Sequence, residues 1–422
     1  WASMPDVERS PAGRVQAPAG PVGDTAGAYA WVVDGDDRRS LRFAARAMEL
    51  GLQVHVSDRD FEARVRGADG AAARVSLARG SVLLRRHENP EGVDELVRQA
   101  ANESTAVVHS VVSGRAIEDG PDLGGGHFRL LEAPRVALLS NSPVSTTDFG
   151  HVWRYLDEDL AMPVTLVDAQ RPGSVDLDEY SVFILPPGAG GFVRERAEDL
   201  ARWTRAGGTL IAIGSSSTAL ADPELGLSGN RLRRDVLDGL EEYAWRTALE
   251  RGSMDVAVDV EDLYGSPAET DEWQPIIRTG VEKMVSSEAE EEGDAAGAEE
   301  LDRWRRRFSP AGVILRAEVD PDSWLTVGIR GEEMAVLFSG SSALMSASRP
   351  AIRLTTAPRL RLGGLLWPEA RARIADSAWL TSEDLGEGRV ISFVVSPVYR
   401  GSWRSTGRLL GNAVVLGGGA SD

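Results

Sequence analysis

The chain of 422 residues contains no cysteine. That absence excludes disulfides, thiolate nucleophiles and cysteine-ligated zinc or iron–sulfur sites. Lysine is almost missing: of 46 basic residues only Lys283 is not an arginine. No uninterrupted apolar run approaches the roughly 20 residues of a membrane span. Basic charge is in deficit, with 65 acidic residues and a net charge of −19. Nucleic acid is therefore not an expected partner, because phosphate binding needs basic surface. The acidity fits a role in solubility. What is present is ordinary for a soluble globular protein, 42% hydrophobic and 26% charged residues, and the length suffices for two or three cores. The chain begins at Trp1 rather than methionine, which leads to the expectation that a leader was removed or a larger protein was cut.

Residues 1–25 are rich in Pro, Ala and Gly without a period, and read as a linker or arm. Residues 26–132 alternate strand and helix patterns. In the helix DRRSLRFAARAMELG, Leu41, Ala44, Ala45 and Met48 share one face and Gly51 is the stop. Such alternation predicts a sheet that is at least partly parallel. Residues 133–222 restart the pattern, and the strands RVALLS, VTLVDA, SVFIL and TLIAI predict a doubly wound, flavodoxin-like sheet. Ligands of such sheets sit beyond the carboxyl ends of the strands, so the loops 141–150, 186–191 and 214–217 should share one rim. Residues 223–310 read as a helical or irregular insertion, with an acidic, solvated stretch at 286–300. Strands return over 311–417, so one domain is expected to run from 133 to 417 around the insertion, with a tail at 418–422. The expected fold class is α/β, with two α/β units.

The segment GGTLIAIGSSSTALA, residues 207–221, places an apolar strand before a small-residue turn and a helix. That is the layout of a nucleophile elbow. It resembles the elbow of class I glutamine amidotransferases, in which a cysteine follows the strand; here Gly214 stands in that place. Further segments, GPDLGGGHFRLLEAPRVALLS, ILPPGAGG, FSPAGVILRAEVDPDSWLTVGI and GEGRVISFVVSPVYRGSWRSTGRLLGNAV, together resemble the C-terminal half of large bacterial zinc carboxypeptidase-like proteins. The resemblance covers about residues 26–417. It implies an amidotransferase-like domain that accompanies a metallopeptidase domain, and a secreted or periplasmic location. Zinc in such a peptidase takes an H-x-x-E pair and a later His. The five histidines are His55, His87, His109, His127 and His151, and none has Glu three residues on. The resemblance thus implies no metal or cofactor in this chain, with zinc confined to a peptidase domain outside it.

Several residues carry alternative readings. Ser215 could be a substitute nucleophile with His151 as base and Asp148 as orienter; the Gly-Ser-Ser-Ser run is also common turn material. Gly188, Gly190 and Gly191, after Pro186 and Pro187, could bind a small anion through backbone amides, or form a rigid turn. Arg400 and Arg404 in PVYRGSWRS could hold a carboxylate, or brace neighbouring elements. Trp153, Tyr155, Trp203 and Trp245 could mark an aromatic surface, or pack in the core. Asp34, Asp36 and Asp37 lack the Glu ending of a calcium loop and read as acidic residues at a helix N-cap. The leading expectation is a non-catalytic accessory region that supports or docks a peptidase domain, or its cleaved chain, or recruits a partner. The rivals are a serine-dependent hydrolase and a structural subunit of a homo-oligomer or larger assembly.

Overall fold

The computed structural model describes residues 20–22, 27–67, 71–236 and 307–417. Most of the 1–25 arm, residues 237–306 with Trp245 and the acidic 286–300 stretch, and the 418–422 tail lie outside the described residues.

Two sheets organise the chain. The first holds β1 (Gly20–Val22), β2 (Ala30–Val33), β3 (His55–Ser57), β4 (Phe61–Arg66), β5 (Ala72–Leu77), β6 (Val82–Arg85), β7 (Val107–Val111) and β8 (Phe128–Leu130), with helices α1 (Ser40–Glu49) and α2 (Val93–Ser104). Its order is β5-β4-β7-β2-β6-β3-β8, with β1 beside β7. The helix face read from the sequence is the buried one: Leu41, Ala44, Ala45 and Met48 all lie in the core. The predicted parallel pairing is found only between β1 and β7; the other described pairs in this sheet are antiparallel. The reason is an interleaving of two crossovers. Strands β2 and β3, joined through α1, are separated by β6; β6 and β7, joined through α2, are separated by β2. Each crossover keeps its own strands pointing the same way, yet every neighbour in that centre runs opposite.

The second sheet begins with β9 (Val136–Ser140), β10 (Val164–Asp168), β11 (Val182–Leu185) and β12 (Thr209–Ile213), connected by α3 (Thr146–Arg154), α4 (Gly190–Glu195) and α5 (Ala197–Arg205). After α6 (Ser215–Leu220) come β13 (Arg231–Leu232) and α7 (Arg233–Val236). Then follow β14 (Ala311–Val319), β15 (Glu333–Ser339), β16 (Leu344–Met345), β17 (Ile352–Leu354), β18 (Arg361–Gly363), α8 (Pro368–Ile374), β19 (Ala378–Leu385), β20 (Gly388–Phe393) and α9 (Arg404–Val415). The order is β10-β9-β11-β12-β20-β19-β17-β14-β15, parallel from β10 to β20 and antiparallel beyond. Strands β9, β11, β12 and β20 are buried at every position, as parallel strands covered on both faces must be. The fold is thus mixed α/β with sheets of mixed orientation. The start of the expected insertion is not wholly helical or irregular, because β13 pairs with β16. No helix among the described residues is long and apolar enough to cross a membrane.

The two sheets meet along α1 and α9. Gly411 of α9 allows this approach, since a Cβ there would fall 2.6 Å from the Tyr155 hydroxyl and 2.7 Å from Leu41. Arg408 reaches across to Ser40 Oγ at 2.8 Å. Asn412 Nδ2 donates to the carbonyls of Leu325 and Val327, each at 2.7 Å.

Candidate functional site

The rim at the carboxyl ends of the parallel strands is built by five strand exits. From β9 the chain turns at Asn141 and enters α3, whose N-cap Ser145 accepts from the Asp148 N–H. From β10 it leaves at Asp168, whose carboxyl is held below the usual range by the N–H of Gln170 and then by Asn141. From β11 it passes through Pro186–Ala189 into α4, and from β12 it turns at Gly214 into α6. The fifth exit, from β20, runs through Tyr399 to α9.

Gly214 adopts φ 60° and ψ −124°, a conformation that side-chain-bearing residues rarely hold. Its N–H donates to the Phe393 carbonyl at 2.8 Å. A strained strand-to-helix turn of this kind is the backbone of a nucleophile elbow. The space a nucleophile would use is filled, because a Cβ on Gly214 would lie 2.9 Å from Cγ of Pro187. The three serines that follow serve the backbone. Ser215 Oγ accepts from the Gly188 N–H at 2.9 Å. Ser216 Oγ accepts from the Ala189 N–H at 3.1 Å and lies 2.5 Å from the Pro186 carbonyl. Ser217 Oγ lies 2.8 Å from the carbonyls of both Ala212 and Phe393.

These contacts bring Ser215 to the 186–191 loop and not into a catalytic chain. Asp148 accepts from Ser145 Oγ at 2.7 Å. His151 Nδ1 is buried without a hydrogen-bond partner among the described residues, so Asp148 does not orient that ring through it. The His151 ring instead packs edge-on to Tyr399, with centroids 5.5 Å apart. Of the glycines expected to offer amides to an anion, Gly188 has its N–H committed to Ser215, and Gly190 and Gly191 open α4. A Cβ at Gly188 would meet the Pro143 carbonyl at 2.4 Å, so the loop is wedged against the β9 exit.

Arg400 is exposed and lies over the ring of its neighbour Tyr399, 5.1 Å from the centroid. Arg404 is the first residue of α9 and lines a cleft between the two sheets. Trp203 is a core residue, its indole N–H donating to the Tyr180 carbonyl at 3.1 Å, whereas Trp153 is exposed. Tyr155 sits against α9 with its phenol pushed up by burial. The helix-cap reading of the first acidic cluster is corrected. The N-cap of α1 is Arg39, with no acidic residue in its first turn. Asp34 and Asp37 accept instead from the N–H groups of Asp36 and Arg39, two residues on, as Asx-turns. Among the described residues no group of three or more His, Asp or Glu side chains is placed to hold a metal ion. The role of Pro187 as a plug was not visible in the sequence, which marks the proline but not where its ring lies.

No family model matches the chain, and no curated protein matches it. Among solved structures it is similar to a ThuA-like protein from Parabacteroides merdae, at 8% identity and TM-score 0.35, over 68% of this chain and 92% of that one. It is also similar to a β-galactosidase from Bacillus circulans sp. alkalophilus, at 12% identity and TM-score 0.32, over 67% of this chain. The chain spans 31% of that enzyme's length. A cytoplasmic protein from Salmonella typhimurium is similar at 9% identity and TM-score 0.31, over 68% of this chain and all of that one. Likenesses this distant carry no activity across.

Proposed function

We propose that this chain is a non-catalytic scaffold of the class I glutamine amidotransferase-like type, whose role is to support or dock a zinc carboxypeptidase-like domain or another partner. The parallel strands β10-β9-β11-β12-β20 stand, numbered by their order in the chain, as 2-1-3-4-5, the flavodoxin-like arrangement. The observation that carries the reading is the closed elbow. Gly214 holds the elbow's backbone geometry without a side chain, Pro187 fills the space beyond it, and Ser215 Oγ is tied to the Gly188 amide that an oxyanion hole would need free. A core can outlast its site because fold and chemistry are separable.

The test is exposure of the full chain to a serine-directed fluorophosphonate, followed by intact mass. The scaffold reading expects no adduct on Ser215. An adduct that disappears in Ser215→Ala would replace it with the hydrolase reading.

A further inference from the structure

Between the sheets lies a cleft of about 680 Å³, a size that suits a small-molecule ligand. Its walls are far more positive than the molecule around them. Arg38, Arg39 and Arg42 come from the start of α1, and Arg154 from the end of α3. Arg330 comes from the loop after Trp324–Thr326, and Arg404 and Arg408 from the first turns of α9. Seven guanidinium groups face two carboxylates, Asp36 and Asp159. That is an excess of five positive charges in a chain of net −19. A second cleft between the sheets, of about 650 Å³, is lined by four arginines and four aspartates. The excess is therefore a property of one cleft and not of the seam.

The two carboxylates are already engaged. Asp36 pairs with Arg330, and Asp159 lies 3.5 Å from Arg154, which also pairs with Glu158. Arg38, Arg39 and Arg404 have no carboxylate partner among the described residues. Deeper in the wall, Arg408 is 9% exposed. Burial pulls its pKa down to about 10, so it stays charged at neutral pH. Its Nε and Nη1 donate only to neutral acceptors: Val327 O, Asn412 Oδ1, Asp37 O and Ser40 Oγ. Its Nη2 has no hydrogen-bond partner among the described residues and lies against Gly328, another residue of the cleft wall. A buried charged donor left unpaired is costly, and negative charge in the adjoining cleft would offset part of that cost. The N-terminal turns of α1 and α9 reach the same space, and neither has a side-chain cap. The positive ends of their helix dipoles add to the field.

We propose that this cleft is a binding site for a small molecule bearing phosphate groups, held by Arg38, Arg39 and Arg404 at its mouth and by Arg408 in its depth. Phosphate fits better than a single carboxylate because it offers three terminal oxygens and up to two charges, which several guanidinium forks can share. The site shares no lining residue with the elbow and does not depend on the elbow being inert.

The test is calorimetric titration of the full chain with inorganic pyrophosphate at fixed ionic strength, beside citrate as a carboxylate of comparable charge. The expected result is saturable pyrophosphate binding that exceeds citrate binding and weakens at least tenfold in Arg38→Glu/Arg404→Glu. Both positions are exposed. Arg38→Gln/Arg404→Gln, which removes charge without reversing it, serves if the first variant does not fold and should also weaken binding. No saturable heat, citrate binding as tight as pyrophosphate, or unchanged affinity in the folded variant would overturn the assignment.

Discussion

At the scale of single residues, Gly214 and Pro187 form a complementary pair. The glycine supplies a backbone conformation that few residues hold, and the proline occupies the volume that a side chain there would need. Gly214→Ala should therefore destabilise the protein by about 1–3 kcal/mol, the usual cost of forcing a side-chain-bearing residue into a sparsely populated φ/ψ region. Urea unfolding monitored by far-UV circular dichroism measures it. The double variant Gly214→Ala/Pro187→Ala should regain part of that loss, since the 2.9 Å approach to Pro187 is then gone. An equal loss in single and double variants would assign the whole cost to the backbone. The glycine was legible in the sequence because a strand, a small-residue turn and a helix are local. The plug was not, because it depends on where two separate strand exits meet.

At the scale of elements, α9 is the brace between the sheets. Its Asn412 is fully buried and donates to two carbonyls of the 325–327 turn while accepting from Arg408 Nε at 3.1 Å. Asn412→Leu keeps the branching at Cγ but removes both polar atoms, and would strand those groups. The expected loss is about 2–3 kcal/mol, from leaving buried polar atoms unpaired. A midpoint within about 0.5 kcal/mol of wild type, the range of neutral surface changes, would mean that water replaces the side chain. Elements of this kind were partly legible. The α1 face followed from its 3.6-residue period, and the buried strands of the second sheet from their unbroken apolar runs. The order of strands in the first sheet did not follow, since β6 inserts between β2 and β3 through long-range pairing that no local pattern encodes. The arginine cleft was equally hidden. Its residues come from five separate stretches of chain, and of its seven arginines only Arg404 was singled out as a candidate ligand-binding residue.

At the scale of the whole molecule, one buried and one half-buried imidazole tie stability to pH. Burial lowers the pKa of His55, and the adjacent Arg85 guanidinium lowers it further. His109 is likewise lowered by burial, against the pull of Asp34 and Asp37. The unfolded chain takes up these protons near the ordinary value of about 6.5, while the folded chain waits for a lower pH. The unfolded state then binds more protons, so stability falls as pH falls. The penalty is absent above the ordinary value, grows below it, and is complete once the folded values are passed. Urea midpoints should drop between about pH 7 and 5, and His55→Gln/His109→Gln should flatten that slope. An unchanged slope would place the sensitivity on carboxylates instead.

The position of β20 has a consequence in time. It is the last described strand in chain order, yet it lies between β12 and β19, bonded to both. During synthesis at about 5–20 residues per second, β12 must wait on the order of ten seconds or more for its neighbour. Through that interval one flank of an apolar strand has no partner, and an unpaired strand flank is a template for pairing with another chain. The newborn chain is therefore most vulnerable just before β20 leaves the ribosome. What protects it then is the speed with which β20 closes the gap.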